Sequence, residues 1–200
     1  MELKRPIRSR RAERCPACWL PLPLCLCAEL PRVASRTRVV VVMPQRESIT
    51  STNTGRLAAQ MIEGAVVRVR GLRDGPAPAP VPDGRRLVLF PQEGARLLGA
   101  EDARGEATIL LVPDGTWSQT RKLCKREPLL AEAEAVALPP APAGRYDLRR
   151  NAPAGTVCTL EAIARALGVL EGAAIEAQLL AALDLFVARS RAAREGRFAR

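Results

Sequence analysis

Four cysteines near the start of the chain have the number and spacing of a metal site. Cys15, Cys18, Cys25 and Cys27 follow the pattern C-x2-C-x6-C-x-C. Four thiolates satisfy the tetrahedral coordination of Zn²⁺, and short turns let each close pair point at one ion. Two disulfides and an iron–sulfur cluster are the alternatives, although disulfides are disfavoured in a cytoplasmic chain and nothing else indicates electron transfer. The pattern therefore predicts a structural zinc site.

A second group of chemically capable residues follows a predicted strand and opens a predicted helix. Asp114, Thr116 and Trp117 form D-x-T-W, and Trp117 is one of only two tryptophans in the chain. A carboxylate at this place can accept a proton, and an indole can stack on a base. The same residues also suit a structural role, because Asp and Thr cap helices and Trp anchors them on a core. D-x-T-W alone does not decide between the two interpretations.

The composition restricts the catalytic chemistry. None of the 200 residues is a histidine, which excludes Ser-His-Asp and Cys-His catalysis and any histidine metal ligand. A general base must then be a carboxylate, Lys, Tyr, Cys or the substrate itself. Cys124 and Cys158 are predicted to be ordinary small core residues.

The charge of the chain points to a polyanionic partner. The formal net charge is +10, and nucleic acid is the commonest polyanion that such a surface attracts. Basic residues are concentrated in an N-terminal arm and on the helix after Trp117. The predicted RNA contacts are Arg5, Arg8, Arg10, Arg11 and Arg14 in the arm and Arg121, Lys122 and Lys125 on the helix. The alternative for the arm is a disordered, solvated tail.

The elements that position these residues alternate between strand and helix from Arg38 onward. The predicted strands are RVVVVMP from Arg38, AVVRVRG from Ala65, RRLVLFP from Arg85, ATILLVP from Ala107 and EAVALPP from Glu134. Such alternation predicts an α/β fold with a mainly parallel sheet and helices on both faces. Ligands of these sheets bind at the carboxyl ends of the strands, here Met43-Pro44, Phe90-Pro91 and Val112 to Asp114. Residues 1–34 are predicted to form a basic arm and zinc lobe with a core separate from that of a catalytic domain at 35–200.

Four helices are predicted between and after the strands. Asn53 or Thr54 caps the first, which ends at Gly64, and the second runs from about Trp117 to Arg126 because Pro128 stops it. Two amphipathic helices follow near the C-terminus. Their apolar stripes are Leu160, Ile163, Leu167 and Leu170, and then Leu179, Leu183, Phe186 and Val187.

The first thirty residues resemble a signal peptide only superficially. Their apolar run is short, is broken by Pro21 and Pro23, contains cysteines and lacks a small-x-small cleavage site. No stretch reaches the roughly 18 apolar residues that a membrane span needs. We therefore expect a cytoplasmic protein without membrane contact.

Five segments, taken together and in this order, carry a specific resemblance. They are CPACWLPLPLCLC, TNTGRLAA, LFP, PDGTWSQTRKL and YDLR with CTLEAIA. On these segments the chain resembles, nearly end to end, the DTW-domain family of bacterial tRNA-uridine aminocarboxypropyltransferases. The resemblance implies transfer of the 3-amino-3-carboxypropyl group of S-adenosylmethionine to N3 of a tRNA uridine, with release of 5′-methylthioadenosine. It also implies a SPOUT-like, knotted domain behind the four-cysteine lobe.

The resemblance implies roles for particular residues as well. Asp114, Thr116 and Trp117 match the namesake motif of the family and are predicted to be catalytic. From their chemistry we expect Asp114 to accept the N3 proton or orient the uracil, Thr116 to fix the turn and Trp117 to form a pocket wall. The implied contacts to S-adenosylmethionine are Phe90, Pro91, Leu138, Thr159, Leu160 and Glu161. The chain departs from the family pattern at Met43, where a His often precedes the proline, and at Cys158, which replaces the serine of S-T-L-E-A.

Two other functions stay open at this point. One is methyl transfer to RNA from the same donor, and the other is zinc-stabilised RNA binding without catalysis. In each case the partner is RNA, which the resemblance narrows to tRNA. No obligatory protein partner is evident, and we expect a monomer.

Overall fold

Six parallel strands form the sheet at the centre of the molecule. The computed structural model describes residues 12–71, 80–140 and 157–197. The strands are β1 (Arg38–Pro44), β2 (Val66–Arg70), β3 (Arg85–Leu89), β4 (Arg96–Leu97), β5 (Thr108–Pro113) and β6 (Glu134–Ala137). They are arranged in the order β2-β1-β5-β3-β6-β4, and every pair is parallel. The predicted parallel sheet is confirmed.

Helices cover both faces of this sheet. They are α1 (Gln45–Ser48), α2 (Thr54–Met61), α3 (Trp117–Arg126), α4 (Pro128–Ala131), α5 (Thr159–Glu171) and α6 (Ala173–Arg194). Side chains alternate along a strand, so Val39, Val41 and Met43 of β1 pack with α2, α5 and α6. Val40 and Val42 pack on the opposite face with α3 and α4. The predicted two-sided covering is therefore confirmed.

The core of the N-terminal lobe is continuous with the core of the sheet. Leu20, Leu24, Leu26 and Val33 are buried and belong to the same apolar cluster as α5 and α6. Val33 also makes a parallel bridge to Ile62 at the end of α2. The prediction of a separate lobe core was wrong, because a lobe this small buries its leucines only by placing them on the neighbouring helices.

A half-buried carboxylate fastens the segment that enters β1. Glu171 ends α5 and accepts hydrogen bonds from the hydroxyl of Ser35 and from the backbone N–H groups of Arg36 and Thr37. Burial raises the pKa of Glu171, but these hydrogen bonds outweigh it, and the net pKa is lowered. The carboxylate therefore stays ionised and holds the junction between the lobe and the sheet against α5.

The amino ends of the strands carry an ion-pair network. Asp102 is 1% exposed and pairs with Arg85 and Arg96, which also reach Glu134. Hydrogen bonds from Arg96 are the main reason that the pKa of Asp102 is lowered. This network is structural, because ligands of a parallel sheet bind at its other end.

The connection that would form the predicted knot lies outside the described residues. The chain passes from β6 to α5 through residues 141–156, which belong to the undescribed part, so the knot stays a prediction. Within the described residues, no helix has both the length and the apolar surface to cross a membrane.

Candidate functional site

A cleft opens at the carboxyl ends of β3, β5 and β6. Its volume is about 380 Å³, within the range of about 300–1,000 Å³ that small-molecule sites occupy. The described residues that line it are Leu89, Phe90, Pro91, Val112, Pro113, Gly115, Trp117, Thr120, Ala137, Leu138, Pro139, Pro140, Val157, Thr159, Ala162 and Arg165. Most of this lining is apolar, so the cleft suits a ligand with a large planar or aliphatic part.

Two aromatic rings form one wall of the cleft. The ring of Phe90, after β3, and the indole of Trp117, at the start of α3, are 5.4 Å apart between centroids and tilted by 45°. Phe90 is buried, whereas Trp117 is 41% exposed. An exposed indole supported by a buried ring presents its face to a ligand, and nucleobases stack on such faces.

Asp114 lies beneath the cleft and is only 1% exposed. Its Oδ2 accepts a hydrogen bond of 2.6 Å from Nδ2 of Asn53, and its Oδ1 accepts one of 2.5 Å from the hydroxyl of Thr159. Asn53 caps α2 and Thr159 opens α5. The carboxylate therefore joins the end of β5 to the starts of two helices.

The chain is shaped to let α2 approach this carboxylate. A Cβ atom on Gly55 would lie 2.5 Å from Oδ2 of Asp114 and 3.0 Å from Val41. Any larger residue would therefore have to displace the hydrogen-bonded carboxylate of Asp114. Pro113 and Gly115, the neighbours of Asp114, are among the described residues that line the cleft. Asp114 itself is not among them.

Thr116 has the capping role that its position predicts. Its hydroxyl accepts from the N–H of Gln119, and the side chain of Gln119 accepts from the N–H of Thr116. This reciprocal pair is a capping box. It fixes the start of α3 and, with it, the backbone of Trp117.

Helix α5 turns one face toward the cleft. Thr159, Ala162 and Arg165 line it at a spacing of three residues, which places them on one side of a helix. Leu160 and Glu161 are fully buried and are not among the described lining residues. Of the predicted donor contacts, the lining therefore includes Phe90, Pro91, Leu138 and Thr159.

Sequence reasoning missed Arg165. Its guanidinium lies 2.7 Å from Oε1 of Glu161, and the two side chains are 16% and 0% exposed. The available signal was an arginine four residues after a glutamate inside an otherwise apolar helix stripe.

The two departures from the family pattern have structural explanations. Cys158 caps α5, and its sulfur accepts from the N–H of Glu161, as a serine oxygen would. Met43 is fully buried in the core, where it packs in the same apolar cluster as α2, α5 and α6. Cys124 lies on the buried face of α3, as predicted for a core residue, and burial raises the pKa of its thiol to about 11.

The four N-terminal cysteines converge on one point. Their sulfur atoms all lie within 4.8 Å of one another. The Sγ atoms of Cys15 and Cys27 are 3.6 Å apart, and those of Cys18 and Cys25 are 3.8 Å apart. Tetrahedral zinc with Zn–S bonds of about 2.3 Å separates its sulfurs by about 3.8 Å. The donor set therefore fits zinc, whereas a disulfide needs sulfurs about 2.05 Å apart.

A turn and a stacked cation support this cluster. Burial raises the pKa of Cys15, but hydrogen bonds from the backbone N–H groups of Cys18 and Ala17 outweigh it and lower the pKa to about 6. Trp19 adopts the left-handed conformation, at φ 62°, to close the turn. The guanidinium of Arg56 lies 4.8 Å from the centre of its indole. Arg56 belongs to α2, so the lobe is attached to the helix whose cap binds Asp114.

The predicted RNA contacts are divided between described and undescribed parts of the chain. Arg121, Lys122 and Lys125 are exposed on α3. Lys122 also lines a groove of about 260 Å³ with Arg70 and Arg126 beside Pro44. Arg14 donates to the carbonyl of Trp19 and so supports the cysteine turn. Arg5, Arg8, Arg10 and Arg11 lie outside the described residues.

The fold and the site define an α/β protein with a four-cysteine lobe and a ligand cleft at the carboxyl ends of a parallel sheet. The family model described as the DTW domain matches residues 12–191, and the chain belongs to this family. A curated relative is tRNA-uridine aminocarboxypropyltransferase 2 of Drosophila melanogaster. It is 26% identical over 179 residues, which cover 80% of this chain and 68% of the relative.

Proposed function

We propose that the protein transfers the 3-amino-3-carboxypropyl group of S-adenosylmethionine to N3 of a uridine in tRNA. The observation that carries the proposal is membership of the DTW family across residues 12–191. The name of the relative from Drosophila melanogaster supports it. A bond forms between N3 and the γ-carbon, the bond from that carbon to sulfur breaks, the N3 proton leaves and 5′-methylthioadenosine is released.

The chemistry requires positioning above all. The sulfonium of the donor is already an activated leaving group, so the protein must hold one carbon beside N3 and assist loss of the imide proton. Phe90 and Trp117 offer a face for a purine or pyrimidine ring, and the remaining apolar lining surrounds the donor. Leu138 and Thr159, on either side of the cleft, complete the proposed donor contacts with Phe90 and Pro91.

Asp114 is proposed to act mainly by positioning. Both of its oxygens already accept hydrogen bonds, from Asn53 and Thr159, and its side chain is buried. Acceptance of the N3 proton would require the uracil to reach a carboxylate that is almost fully covered by protein atoms. The carboxylate instead orients Thr159, which lines the cleft, and holds the ends of β5, α2 and α5 together.

Zinc is proposed as the ion of the four-cysteine cluster, with a structural role. The sulfur separations match tetrahedral coordination. When bound, Zn²⁺ crosslinks the two cysteine pairs. Arg56 lowers the electrostatic cost of gathering several thiolates at that place, because its cation stacks on Trp19 next to Cys18.

One experiment separates this proposal from the two rival functions. The protein is incubated with tRNA and S-adenosylmethionine labelled either in the carboxyl carbon or in the methyl group. We expect carboxyl label alone to enter the tRNA. Methyl label alone would establish methyl transfer, and binding of tRNA without incorporation of either label would establish a non-catalytic RNA-binding protein.

Replacement of Trp117 by alanine is expected to weaken binding of one substrate. The lost stacking on a base corresponds to about 1–3 kcal/mol, because Trp117 lines the cleft and is 41% exposed. Titration of donor and of tRNA against the variant identifies which substrate it touches. Trp19→Ala is the control, since Trp19 stacks on Arg56 in the lobe. Unchanged affinity of Trp117→Ala for both substrates would contradict the stacking role.

Neutralisation of Arg121, Lys122 and Lys125 is expected to weaken tRNA binding and to flatten its dependence on salt. Each lost phosphate contact lowers the slope of log K against log salt by about 0.9 for a duplex. The affinity for S-adenosylmethionine should not change, because these side chains do not belong to the described cleft lining. A change of donor affinity equal to that of tRNA would show that α3 has been disrupted instead.

A further inference from the structure

The cleft has one charged side chain among the described residues that line it. Fifteen lining residues are uncharged, and the sixteenth is Arg165. Its side chain is 16% exposed, so a guanidinium sits in a largely apolar, partly dehydrated surrounding. An anion bound there loses less attraction to water screening than it would on the surface.

The orientation of Arg165 is set by a buried carboxylate. Glu161, one turn earlier on α5, has no exposed surface and accepts a hydrogen bond of 2.7 Å from one terminal nitrogen of Arg165. Such a buried pair adds little net stability, because desolvation offsets the attraction. Its effect is to fix the planar guanidinium at the cleft, and a guanidinium carries five N–H donors in a fork that matches a carboxylate.

We infer that Arg165 binds the α-carboxylate of S-adenosylmethionine and that Glu161 positions it. The inference deepens the proposed function and rests on it. The transferred group itself carries this carboxylate, so an ion pair at Arg165 fixes the group at the end opposite to its reacting carbon. Ala162, one turn before Arg165 on the same face, leaves room because its side chain ends at Cβ.

The test compares two donors that differ in one group. S-adenosylmethionine carries the carboxylate and decarboxylated S-adenosylmethionine does not. We expect calorimetry on the whole chain to show tighter binding of the first. Arg165→Met should weaken the binding of S-adenosylmethionine about 10- to 100-fold, as expected for a lost charge-assisted hydrogen bond. The same variant should leave the affinity for decarboxylated S-adenosylmethionine nearly unchanged. The preference for the donor with the carboxylate should therefore disappear.

Two further variants separate recognition from folding. Arg189→Met is the matched control, because Arg189 on α6 also pairs with a glutamate, Glu29 at 2.7 Å, and is not among the described lining residues. It should keep the full preference. Glu161→Gln can still accept from Arg165 and should retain more of the preference than Glu161→Ala, provided that both melt as a folded chain.

The outcomes show separately whether the role assigned to Arg165 is wrong and whether the proposed transferase function is wrong. Equal weakening of both donors by Arg165→Met, or no weakening of either, would overturn the role of Arg165 and leave the transferase proposal in place. Failure of the unaltered protein to bind either donor would overturn the proposed function and this inference together.

Discussion

Asp114→Asn is expected to lower both the stability of the protein and its turnover. The new amide can accept from only one of the two donors that now meet the carboxylate. Asn53 cannot turn its amide to adapt, because its Oδ1 already accepts from the N–H of Arg56 at the cap of α2. The hydroxyl of Thr159 is then left without its acceptor.

The expected loss of stability in Asp114→Asn follows from the burial of the unpaired hydroxyl of Thr159. One unsatisfied buried donor costs about 1–3 kcal/mol, and each kcal/mol lowers the Tm of a domain this size by about 2–4 °C. Turnover should fall about 10²-fold, the effect of a small misplacement at a reacting centre. Calorimetric melting and single-turnover transfer to tRNA measure the two effects.

The pH dependence of the loss of turnover in Asp114→Asn shows whether Asp114 accepts a proton or positions other groups. At high pH the uracil imide ionises without help, so a lost proton acceptor would be partly rescued, whereas a lost positioning group would not. We expect the deficit to stay constant with pH. Asn53→Ser is the companion variant: serine keeps the cap of α2 but is too short to replace the amide at Asp114. Normal turnover in Asn53→Ser together with rescue of Asp114→Asn at high pH would establish Asp114 as the base.

Removal of one zinc ligand is expected to destabilise the whole chain. Leu20, Leu24 and Leu26 are buried in the cluster that includes α5 and α6. Each buried leucine contributes about 1.5–3 kcal/mol, and a domain has a total stability of only about 5–15 kcal/mol. If Cys25→Ala releases the metal and the lobe loosens, most of that margin is lost. One cooperative transition at a much lower Tm should be observed, with about one zinc per chain lost.

The control for this experiment is another cysteine. Cys124→Ala removes a thiol that is more deeply buried than Cys25 but lies on the buried face of α3, apart from the four-cysteine cluster. It should keep the zinc content and change the Tm only slightly. Two separate transitions in Cys25→Ala would mean that the lobe folds independently, and a metal-free parent chain of unchanged stability would contradict the zinc proposal.

Local sequence patterns predicted most of the fold. The apolar runs of β1 and β5 are buried on both faces, which is why they read as parallel strands, and the caps Asn53 and Thr116 marked two helix starts correctly. The short β4 was missed because a strand of two residues, Arg96 and Leu97, is too short to show an alternation of apolar and polar side chains. The continuity of the lobe with the core was also missed, since an apolar residue does not reveal which surface it will meet.

The site was predictable only in its separate parts. The sequence marks Asp114 and Thr159 as notable, but not that they touch, because that contact depends on the order of the strands and on a connection 45 residues long. Glu161 was predicted to contact the donor; in the structure its side chain has no exposed surface and pairs with Arg165, and its contact with the donor stays a prediction. A pair four residues apart on a helix looks like ordinary surface stabilisation until the burial of its members is known.

The hydrogen bonds around Asp114 connect distant parts of the chain, so the proposed donor site is complete only after all of these parts have folded. These hydrogen bonds join residues 61, 45 and 106 positions apart along the chain, and the loop-closure entropy of such distant contacts makes folding slow. The donor contacts proposed for Thr159 and Arg165 both lie on α5, so we expect a nascent chain that still lacks α5 not to retain donor. Donor that binds only the finished protein raises the melting temperature of the entire chain rather than ordering one loop. We therefore expect binding of the proposed donor to distinguish completely folded molecules from incomplete ones.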